Sequence, residues 1–394
     1  MNYDFDKITD RRGTGSLKWD VAENELPMWV ADMDFMTAPA ITEALSKRVA
    51  HGIFGYSIVP DEWYEAYTTW WEKRHGFKFD KEWLMFVTGV VPAISTAVRK
   101  LTTPAENIVI QTPVYNIFFN SIINNGRRIL ESPLLYKDGR YDIDFEDLEK
   151  KLAEPQTTMM ILCNPHNPVG KIWDREKLER IGELCKKHHV IVVSDEIHCD
   201  ITAPGKEYIP FASVSEACRE NSVTCIAPTK AFNMAGLQTA AIMVPGEALR
   251  NKMYRAINTD EVAEPNAFAV PAAVAAFKEG GDWLDSLREY IQKNREFSEE
   301  FIKKELPVLK PVHGEATYLL WVDCSELTDD CDVFSEYLRR ETGLYICEGS
   351  EYGESGRKFI RINLACQRSV LEDGLSRLKR GALGYQEYLK AVRG

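Results

Sequence analysis

The fold is decided by residues 227–233, which read Ala227-Pro228-Thr229-Lys230-Ala231-Phe232-Asn233. This stretch follows the apolar run 222–226, so Lys230 is expected just beyond the end of a strand. Asp195 ends a second apolar run at 190–194. Asn167 follows a third run, within Asn164-Pro165-His166-Asn167-Pro168-Val169-Gly170. An amine, a carboxylate and an amide therefore each lie near the end of a short apolar run.

These three groups match the needs of pyridoxal phosphate (PLP). Lys230 would form the Schiff base, since protein lysines form such adducts with carbonyl cofactors. Asp195 would keep the ring nitrogen protonated, because a nearby opposite charge stabilises the cation, and the amide of Asn167 would bond the ring hydroxyl. Each feature alone is more typical of a solvated lysine, a turn or cap, or a Pro/Gly loop. Their joint order and spacing favours a PLP site.

Composition indicates an acidic globular protein. The length of 394 residues favours two domains. The fractions of hydrophobic residues, 45%, and of charged residues, 27%, are ordinary for a globular protein. The net charge of −12 argues against nucleic acid or an anionic membrane as a partner. Residues 1–6 lack the apolar core of a signal peptide, and no run of eighteen apolar residues occurs. The nine scattered cysteines form no Cys-x-x-Cys pair, so we expect free thiols in the cytoplasm and no metal site.

Between about residues 85 and 245, short apolar runs alternate with amphipathic stretches. This alternation predicts an α/β domain around a mostly parallel, mixed sheet of seven strands flanked by helices. The predicted strands are 84–88, 107–111, 127–131, 158–163, 190–194, 222–226 and 239–244. The predicted helices include 91–101, 115–124, 174–188 and 246–257.

The pattern changes after about residue 282. A charged stretch at 283–306 predicts a helix that leads into a smaller α+β unit, with strands near 317–323 and 359–363 and helices near 333–341 and 370–390. The first forty residues show little periodicity and are expected to pack on this unit or across the active site. The predicted division is an N-terminal segment (1–45), a large domain (46–284) and a C-terminal small domain (285–394).

Two further elements could complete a PLP site. Gly89, Val90 and Val91 follow a strand and open a helix, where backbone N–H groups bind phosphate and glycine allows close approach. Tyr115 follows the next strand, where it could stack on a cofactor ring. The alternatives are an ordinary strand-to-helix turn and a core tyrosine.

Two charged or titratable residues suggest further roles. Arg361 lies inside the apolar run 359–364, where a buried charge needs a partner. A substrate carboxylate held by the guanidinium fork is one such partner, and a buried Asp or Glu is the alternative. His198, three residues after Asp195, could support the cofactor site or be a structural histidine.

The chain resembles PLP enzymes of the aspartate-aminotransferase fold (fold type I), and within them the MalY/PatB group of C–S lyases, which includes cystathionine β-lyases and cystalysin. The resemblance runs nearly end to end. It rests on the motifs around Asn167, Asp195, Lys230 and Arg361, and on Gly15-Ser16-Leu17-Lys18-Trp19-Asp20, Trp29-Val30-Ala31-Asp32-Met33-Asp34-Phe35, Gly55-Tyr56 and Gly89-Val90-Val91-Pro92-Ala93.

The resemblance implies a homodimer with shared active sites. Tyr56 would reach the cofactor phosphate of the neighbouring subunit, Val90 and Val91 would give backbone N–H groups to the phosphate, and Thr229 would add a hydroxyl. In this group serine commonly stands where this chain has Thr229, and the hydroxyl is retained. Gln238 replaces the arginine that many aminotransferases carry eight residues after the lysine, which agrees with the lyase group.

The resemblance also assigns the residues that act on substrate. Lys230 would be the general base, and Arg361 would anchor the carboxylate, while Tyr115 would stack on the ring. Asp32 and Asn116 are expected on the substrate wall. Asn116 replaces a second tyrosine that is common in the group, so the contacts on this wall stay open.

The function favoured by the resemblance is α,β-elimination from a sulfur amino acid, giving a thiol, pyruvate and ammonia. Cystathionine is the leading substrate, with cysteine, cystine and S-alkyl cysteines as competitors. An aminotransferase is the rival enzyme, because the same site can return the proton to the cofactor. A regulatory protein that binds a transcription activator, as some members of the group do, is the third alternative.

Overall fold

The computed structural model describes residues 3–393 and contains a large and a small β-sheet, both packed with helices, together with two two-stranded sheets, formed by Leu26–Pro27 with Leu344–Tyr345 and by Leu135–Lys137 with Arg140–Asp142. In chain order the strands are β1 (Leu26–Pro27), β2 (Leu84–Val87), β3 (Asn107–Ile110), β4 (Arg128–Glu131), β5 (Leu135–Lys137), β6 (Arg140–Asp142), β7 (Thr157–Cys163), β8 (Ile191–Asp195), β9 (Ser222–Ile226), β10 (Ala240–Met243), β11 (Lys310–Pro311), β12 (Leu319–Asp323), β13 (Leu344–Tyr345), β14 (Cys347–Glu348) and β15 (Phe359–Asn363). The helices are α1 (Pro39–His51), α2 (Asp61–His75), α3 (Val90–Leu101), α4 (Ile117–Ile123), α5 (Phe145–Leu152), α6 (Arg175–Lys187), α7 (Glu216–Glu220), α8 (Glu247–Thr259), α9 (Ala269–Glu279), α10 (Gly281–Glu305), α11 (Cys331–Thr342) and α12 (Arg368–Arg393).

The large sheet has seven strands in the order β2-β10-β9-β8-β7-β3-β4. Only β10 runs antiparallel to its neighbours, so the other strands all end at the same edge. The predicted mixed, mostly parallel seven-stranded sheet is thereby confirmed. Because ligands of open α/β sheets bind beyond the carboxyl ends of the strands, this edge is the place to look for a site.

Both faces of the large sheet are buried. In β3, Ile108 and Ile110 join a cluster with α3, α4 and α8, whereas Val109 between them joins a cluster with α5 and α6 on the opposite face. Successive side chains of a strand point to opposite faces. A strand covered on both sides therefore reads as a continuous apolar run, which explains why these strands were visible in the sequence.

The small sheet has four antiparallel strands in the order β11-β12-β15-β14. Apolar side chains of β12 and β15 pack with α10, α11 and α12 in one core. The N-terminal segment joins this unit, because β1 pairs in parallel with β13. No helix within residues 3–393 has both the length and the apolar character that spanning a bilayer requires.

The predicted elements agree with the observed ones to within about two residues, but five helices were not anticipated: α1, α2, α5, α7 and α9. Helix α2 buries Trp63, Tyr67, Trp70 and Trp71 on one face. Aromatic and Thr residues have only modest intrinsic helix propensity, so tertiary packing rather than local preference accounts for this helix. The predicted domain boundaries at 45 and 284 stay predictions.

We predict that Gly170→Ala destabilises the protein more than Gly205→Ala. Both glycines have positive φ, +68° and +76°, a conformation that costs an L-residue about 1–2 kcal/mol. A Cβ at Gly205 meets nothing within 4 Å, whereas one at Gly170 would lie 2.9 Å from the carbonyl oxygen of Ala316. We therefore expect Gly170→Ala to cost roughly 1–3 kcal/mol more in urea unfolding. Equal losses in the two variants would contradict this packing role.

Candidate active site

Five polar side chains converge between the two sheets. Asp195 is the last residue of β8, and Asn167, Tyr115 and Lys230 follow β7, β3 and β9. Arg361 comes from the other side, on β15 of the small sheet, and its Nη1 donates to Asn167 Oδ1 at 3.3 Å. The site is therefore built by two units of the fold, as the sequence argument required.

Lys230 lies in this site with its amine on a backbone carbonyl. Its Nζ donates to the carbonyl oxygen of Ala31 at 2.6 Å. Burial and, after it, the charge of Arg361 lower the pKa of Lys230 to about 8, while Asp32 and Asp195 oppose the shift. A lysine with a pKa near neutrality can act as a base or nucleophile without a large protonation penalty.

Asp195 is a buried carboxylate that could accept further hydrogen bonds. It is 4% exposed, and its Oδ1 accepts from the backbone N–H of Ile197 at 3.1 Å. Burial raises the pKa of Asp195 to about 6, against the lowering effects of that N–H and of Lys230. A carboxylate short of donors fits a protonated ring nitrogen, because an added cation would restore its ionised state.

Arg361 is buried without an acidic partner. Besides Asn167, its guanidinium contacts the carbonyl oxygen of Trp29 at 2.8 Å, the sulfur of Cys347 at 3.4 Å and the ring face of Tyr352 at 4.9 Å. All of these contacts within residues 3–393 are uncharged, and Nε has no partner there. A buried cation with no carboxylate in direct contact leaves room for an anionic ligand. The alternative of a buried ion pair is thus not what the structure contains.

The N-terminus of α3 provides an anion site. Gly89 is the residue before the helix, and no side chain caps the helix start, which leaves the backbone N–H groups of Val90 and Val91 available. The φ of Gly89 is 176°, an extended value, so its use lies in the close approach it allows and not in its conformation. Thr229 is 8% exposed next to Lys230. These groups fit the phosphate of PLP, as the amine, carboxylate and amide fit its ring.

His198 and Tyr115 flank the reacting groups as neutral side chains. Burial lowers the pKa of His198 to about 3, and the charges of Lys230 and Arg361 add to this effect. Burial together with Asp195 raises the pKa of Tyr115 to about 12. His198 is therefore uncharged at neutral pH, which fits a supporting role better than proton transfer.

Residues 28–35, here termed the strap, cross the site and bind both units. Each of the eight backbone carbonyl oxygens from residue 28 to residue 35 accepts a hydrogen bond. The side-chain donors are Arg11, Lys230, Asn233, Tyr318, Cys347, Arg361, Asn363 and Gln367. The N-terminal segment therefore both packs on the small unit and lies across the active site.

Three further predicted site residues form no hydrogen bond or ion pair with Lys230, Asp195 or Arg361. Asp32 is held by the two-pronged ion pair of Arg11, with contacts of 3.1 and 2.6 Å, so its carboxylate already has a partner. Asn116 precedes α4 and is partly buried. Tyr56 lies on the connection between α1 and α2 with its side chain fully exposed.

The sequence argument did not predict most of the side chains that donate to the strap, among them Asn233, Asn363 and Tyr318. Asn233 and Asn363 belong to the quoted motifs around Lys230 and Arg361, and a search for polar residues near the reactive ones could have found them. Tyr318 donates to the carbonyl oxygen of Ala31 at 2.8 Å. Nothing in the pattern at 317–323 distinguished this tyrosine from an ordinary core residue.

Comparison with known proteins agrees with this architecture. The model of the family "Aminotransferase class I and II" matches residues 24–378. The chain is 47% identical over 383 residues to cystathionine beta-lyase PatB of Bacillus subtilis (strain 168), covering 95% of this chain and 98% of that protein. It is 34% identical over 384 residues to protein MalY of Escherichia coli (strain K12), covering 95% and 98%.

A solved structure gives the same result. Cystalysin from Treponema denticola, which contains a pyridoxal 5'-phosphate cofactor, superposes with a TM-score of 0.94 at 34% identity, covering 97% of this chain and 99% of that chain. The resemblance found in the sequence motifs is confirmed over nearly the full length. The chain belongs to the aminotransferase class I and II family, and its near relatives are the cystathionine β-lyases PatB and MalY.

Proposed function

We propose that this chain is a PLP-dependent C–S lyase. It cleaves the bond between the β-carbon and sulfur of cystathionine or a related cysteine S-conjugate, and releases a thiol, pyruvate and ammonia. The observation that carries the proposal is Arg361, a buried guanidinium whose direct contacts are all uncharged. Arg361 and the amine of Lys230 both donate hydrogen bonds to backbone carbonyls of the strap. The 47% identity to a cystathionine beta-lyase supports the choice of reaction.

The side chains divide the work as follows. Arg361 binds the substrate α-carboxylate through its guanidinium fork and thereby fixes the orientation of Cα. Lys230 would hold the cofactor through Nζ, and the same atom, when free, would remove the proton from the substrate Cα. Asp195 would keep a proton on the ring nitrogen of the cofactor. PLP, when bound, supplies the electron sink for the charge left on Cα.

The pKa of Lys230 suits this role. Burial and Arg361 place the pKa at about 8, so a much larger fraction of the amine is neutral at neutral pH than in an ordinary lysine. A general base is most effective when its pKa lies near the working pH, because correct protonation and proton-transfer driving force are then balanced. A lysine with its ordinary pKa near 10.4 would be almost fully protonated there.

Transamination is the rival reaction. It uses the same groups and differs in returning the proton to the cofactor, and the family as a whole carries the name of aminotransferases. Gln238 stands at the position where many aminotransferases have arginine, which favours the lyase. The main difference between the two reactions is the need for a keto-acid acceptor.

We also propose a homodimer with shared active sites in the cytoplasm. The segment around Tyr56 exposes large apolar side chains: Ile53, Phe54, Tyr56 and Ile58 are 67%, 54%, 107% and 80% exposed. Such a patch is typical of a protein interface. The second copy is the occupant that the family resemblance favours. All nine cysteines are buried free thiols, which fits a reducing compartment.

Elimination is tested by measuring products with and without 2-oxoglutarate. With cystathionine we expect homocysteine, pyruvate and ammonia in equal amounts, and a rate independent of the keto acid. Turnover that requires 2-oxoglutarate, forms glutamate and releases no thiol would make the chain an aminotransferase. Release of cysteine with 2-oxobutyrate would mean that the γ-bond breaks, and would also contradict the proposal.

Arg361→Ala is expected to raise KM strongly at nearly unchanged PLP content. The loss is at least about 1.5–3 kcal/mol, the worth of a charge-assisted hydrogen bond. Arg361→Lys should recover it only in part, because a point charge cannot reproduce the fork. Arg127→Ala is the matched control. Arg127 is a buried arginine just before β4, at the opposite edge of the sheet, and it also donates to backbone carbonyls. A KM unchanged in Arg361→Ala would make Arg361 structural.

Shared sites are tested by mixing inactive dimers. In a hybrid of Tyr56→Phe and Lys230→Ala subunits, one site combines its own Lys230 with the Tyr56 of the other chain and is intact. We therefore expect activity to return after subunit exchange, provided that Tyr56→Phe alone is inactive. Lys230→Ala mixed with Arg361→Ala is the control, since both residues belong to one chain's site and no hybrid site is whole. No recovery in the first mixture, despite proven subunit exchange, would refute the arrangement.

A further inference from the structure

We propose that Tyr318 and Asn363 are positioning residues. They hold the carbonyl group of Ala31 where it accepts a hydrogen bond from the Lys230 amine, whenever that amine is free of the cofactor. The inference rests on the lyase function proposed above, because the free amine is the group that moves the Cα proton. Neither residue was singled out by the sequence argument.

The Lys230 amine has a single hydrogen-bond acceptor. Among the described residues, the carbonyl oxygen of Ala31 is the one hydrogen-bond partner of Lys230 Nζ, at 2.6 Å. A carbonyl oxygen can only accept, so it holds one N–H of the amine and cannot compete for its lone pair. An amine seated in this way keeps its lone pair for the substrate proton.

Tyr318 shares this acceptor. Its hydroxyl donates to the same oxygen at 2.8 Å, and its side chain is 0% exposed. The preceding residue, Thr317, has φ of +67°, which is unusual for a β-branched residue and indicates local strain. Arg295 secures this backbone, because its Nη2 donates to the carbonyl oxygens of Thr317 and Leu319 at 3.2 and 2.9 Å. The surrounding structure therefore imposes the direction of the tyrosine.

Asn363 holds the strap on both sides of Ala31. Its Nδ2 donates to the carbonyl oxygens of Val30 and Asp32, each at 2.6 Å, and these residues flank Ala31. Its backbone N–H also donates to the carbonyl oxygen of Met28 at 2.9 Å. One residue on β15, two positions beyond Arg361, thus determines where the Ala31 carbonyl lies relative to Lys230.

The two substitutions shift the titration of Lys230 in opposite directions. Charged groups that face the amine are Arg361 on β15, Asp32 on the strap and Asp195 on β8, and all three are present in both variants; His198, which also faces it, is neutral. Tyr318→Phe removes a competing donor, so the carbonyl accepts more strongly from the ammonium and the pKa of Lys230 rises. Asn363→Ala frees the strap, so the ammonium loses its acceptor and the pKa falls.

The first measurement uses the cofactor-free protein. Lys230 is labelled with acetic anhydride across a pH series, and the extent of labelling is read from its peptide by mass spectrometry. In Tyr318→Phe we expect the midpoint to move up by about half a pH unit, the equivalent of a fraction of a hydrogen bond. The holoenzyme should keep its PLP and its KM, and lose kcat several-fold, with the acid limb of its pH profile at higher pH.

Asn363→Ala is compared with Asn294→Ala. Asn294 also donates its amide to two carbonyl oxygens, those of Leu364 and Cys366, at 3.0 and 2.9 Å, but it does not touch the strap. Both variants should lose similar stability, whereas only Asn363→Ala should lower the midpoint and kcat. Tyr385→Phe, in a buried tyrosine of α12, is the control for Tyr318→Phe and should leave both unchanged.

Midpoints equal to that of the wild type in both Tyr318→Phe and Asn363→Ala would overturn the proposal. If Asn363→Ala does not fold, Tyr318→Phe alone decides, because it removes one oxygen atom only. Absence of thiol release by the wild type would refute the lyase function, but it would leave the titration of Lys230 unaffected. The two failures are therefore distinguishable.

Discussion

The structure depends on the burial of three charged groups in one place. Lys230, Asp195 and Arg361 meet between the two sheets, and an isolated buried charge is costly unless hydrogen bonds or opposite charges compensate it. Here the compensation is incomplete. Lys230 has a neutral carbonyl, Asp195 has one backbone N–H, and Arg361 has an amide, a carbonyl and a thiol. Each group can therefore take one more partner in the proposed reaction: Arg361 the substrate carboxylate, Asp195 the ring nitrogen, and Lys230 the carbonyl carbon of the cofactor.

The strap explains how such a site is held in place. A segment without regular structure would normally lie on the surface, because its backbone polar groups need partners. In residues 28–35 every carbonyl finds one, and the donors come from the lysine loop, from β15 and from the N-terminal segment itself. The positions of Lys230 and Arg361 are therefore coupled through one stretch of backbone. This arrangement is pre-organised, since the protein has already oriented these groups before substrate enters.

Much of the large sheet could be predicted because both of its faces are buried. Its strands read as short apolar runs, and polar residues at their ends mark the edge where ligands bind. Lys230, Asp195 and Asn167 were found in this way. The sequence argument placed the N-terminal segment on the small unit or across the active site, but it could not find the hydrogen bonds of the strap, because these use backbone carbonyls that any sequence would provide. Tyr318 was missed for a related reason, since its role depends on the strained backbone at Thr317 and on contacts across 287 residues of chain.

Arg361 shows where sequence and structure each contribute. Its place in an apolar strand raised the question of a partner. The sequence favoured a carboxylate of the substrate but left a carboxylate of the protein as the alternative. In the described chain, the groups in direct contact with the guanidinium are all uncharged. Tyr56 illustrates the limit of a single chain, because its exposed side chain acquires a partner only in the proposed dimer.

The central claim is that Lys230 holds the cofactor, and covalent trapping tests it most directly. The purified protein is treated with borohydride, digested and analysed by mass spectrometry. The account predicts a yellow protein that loses its colour on reduction and yields one peptide, containing Lys230, with the mass of the reduced cofactor attached. Attachment to another lysine, or a protein that stays colourless with excess PLP, would contradict it.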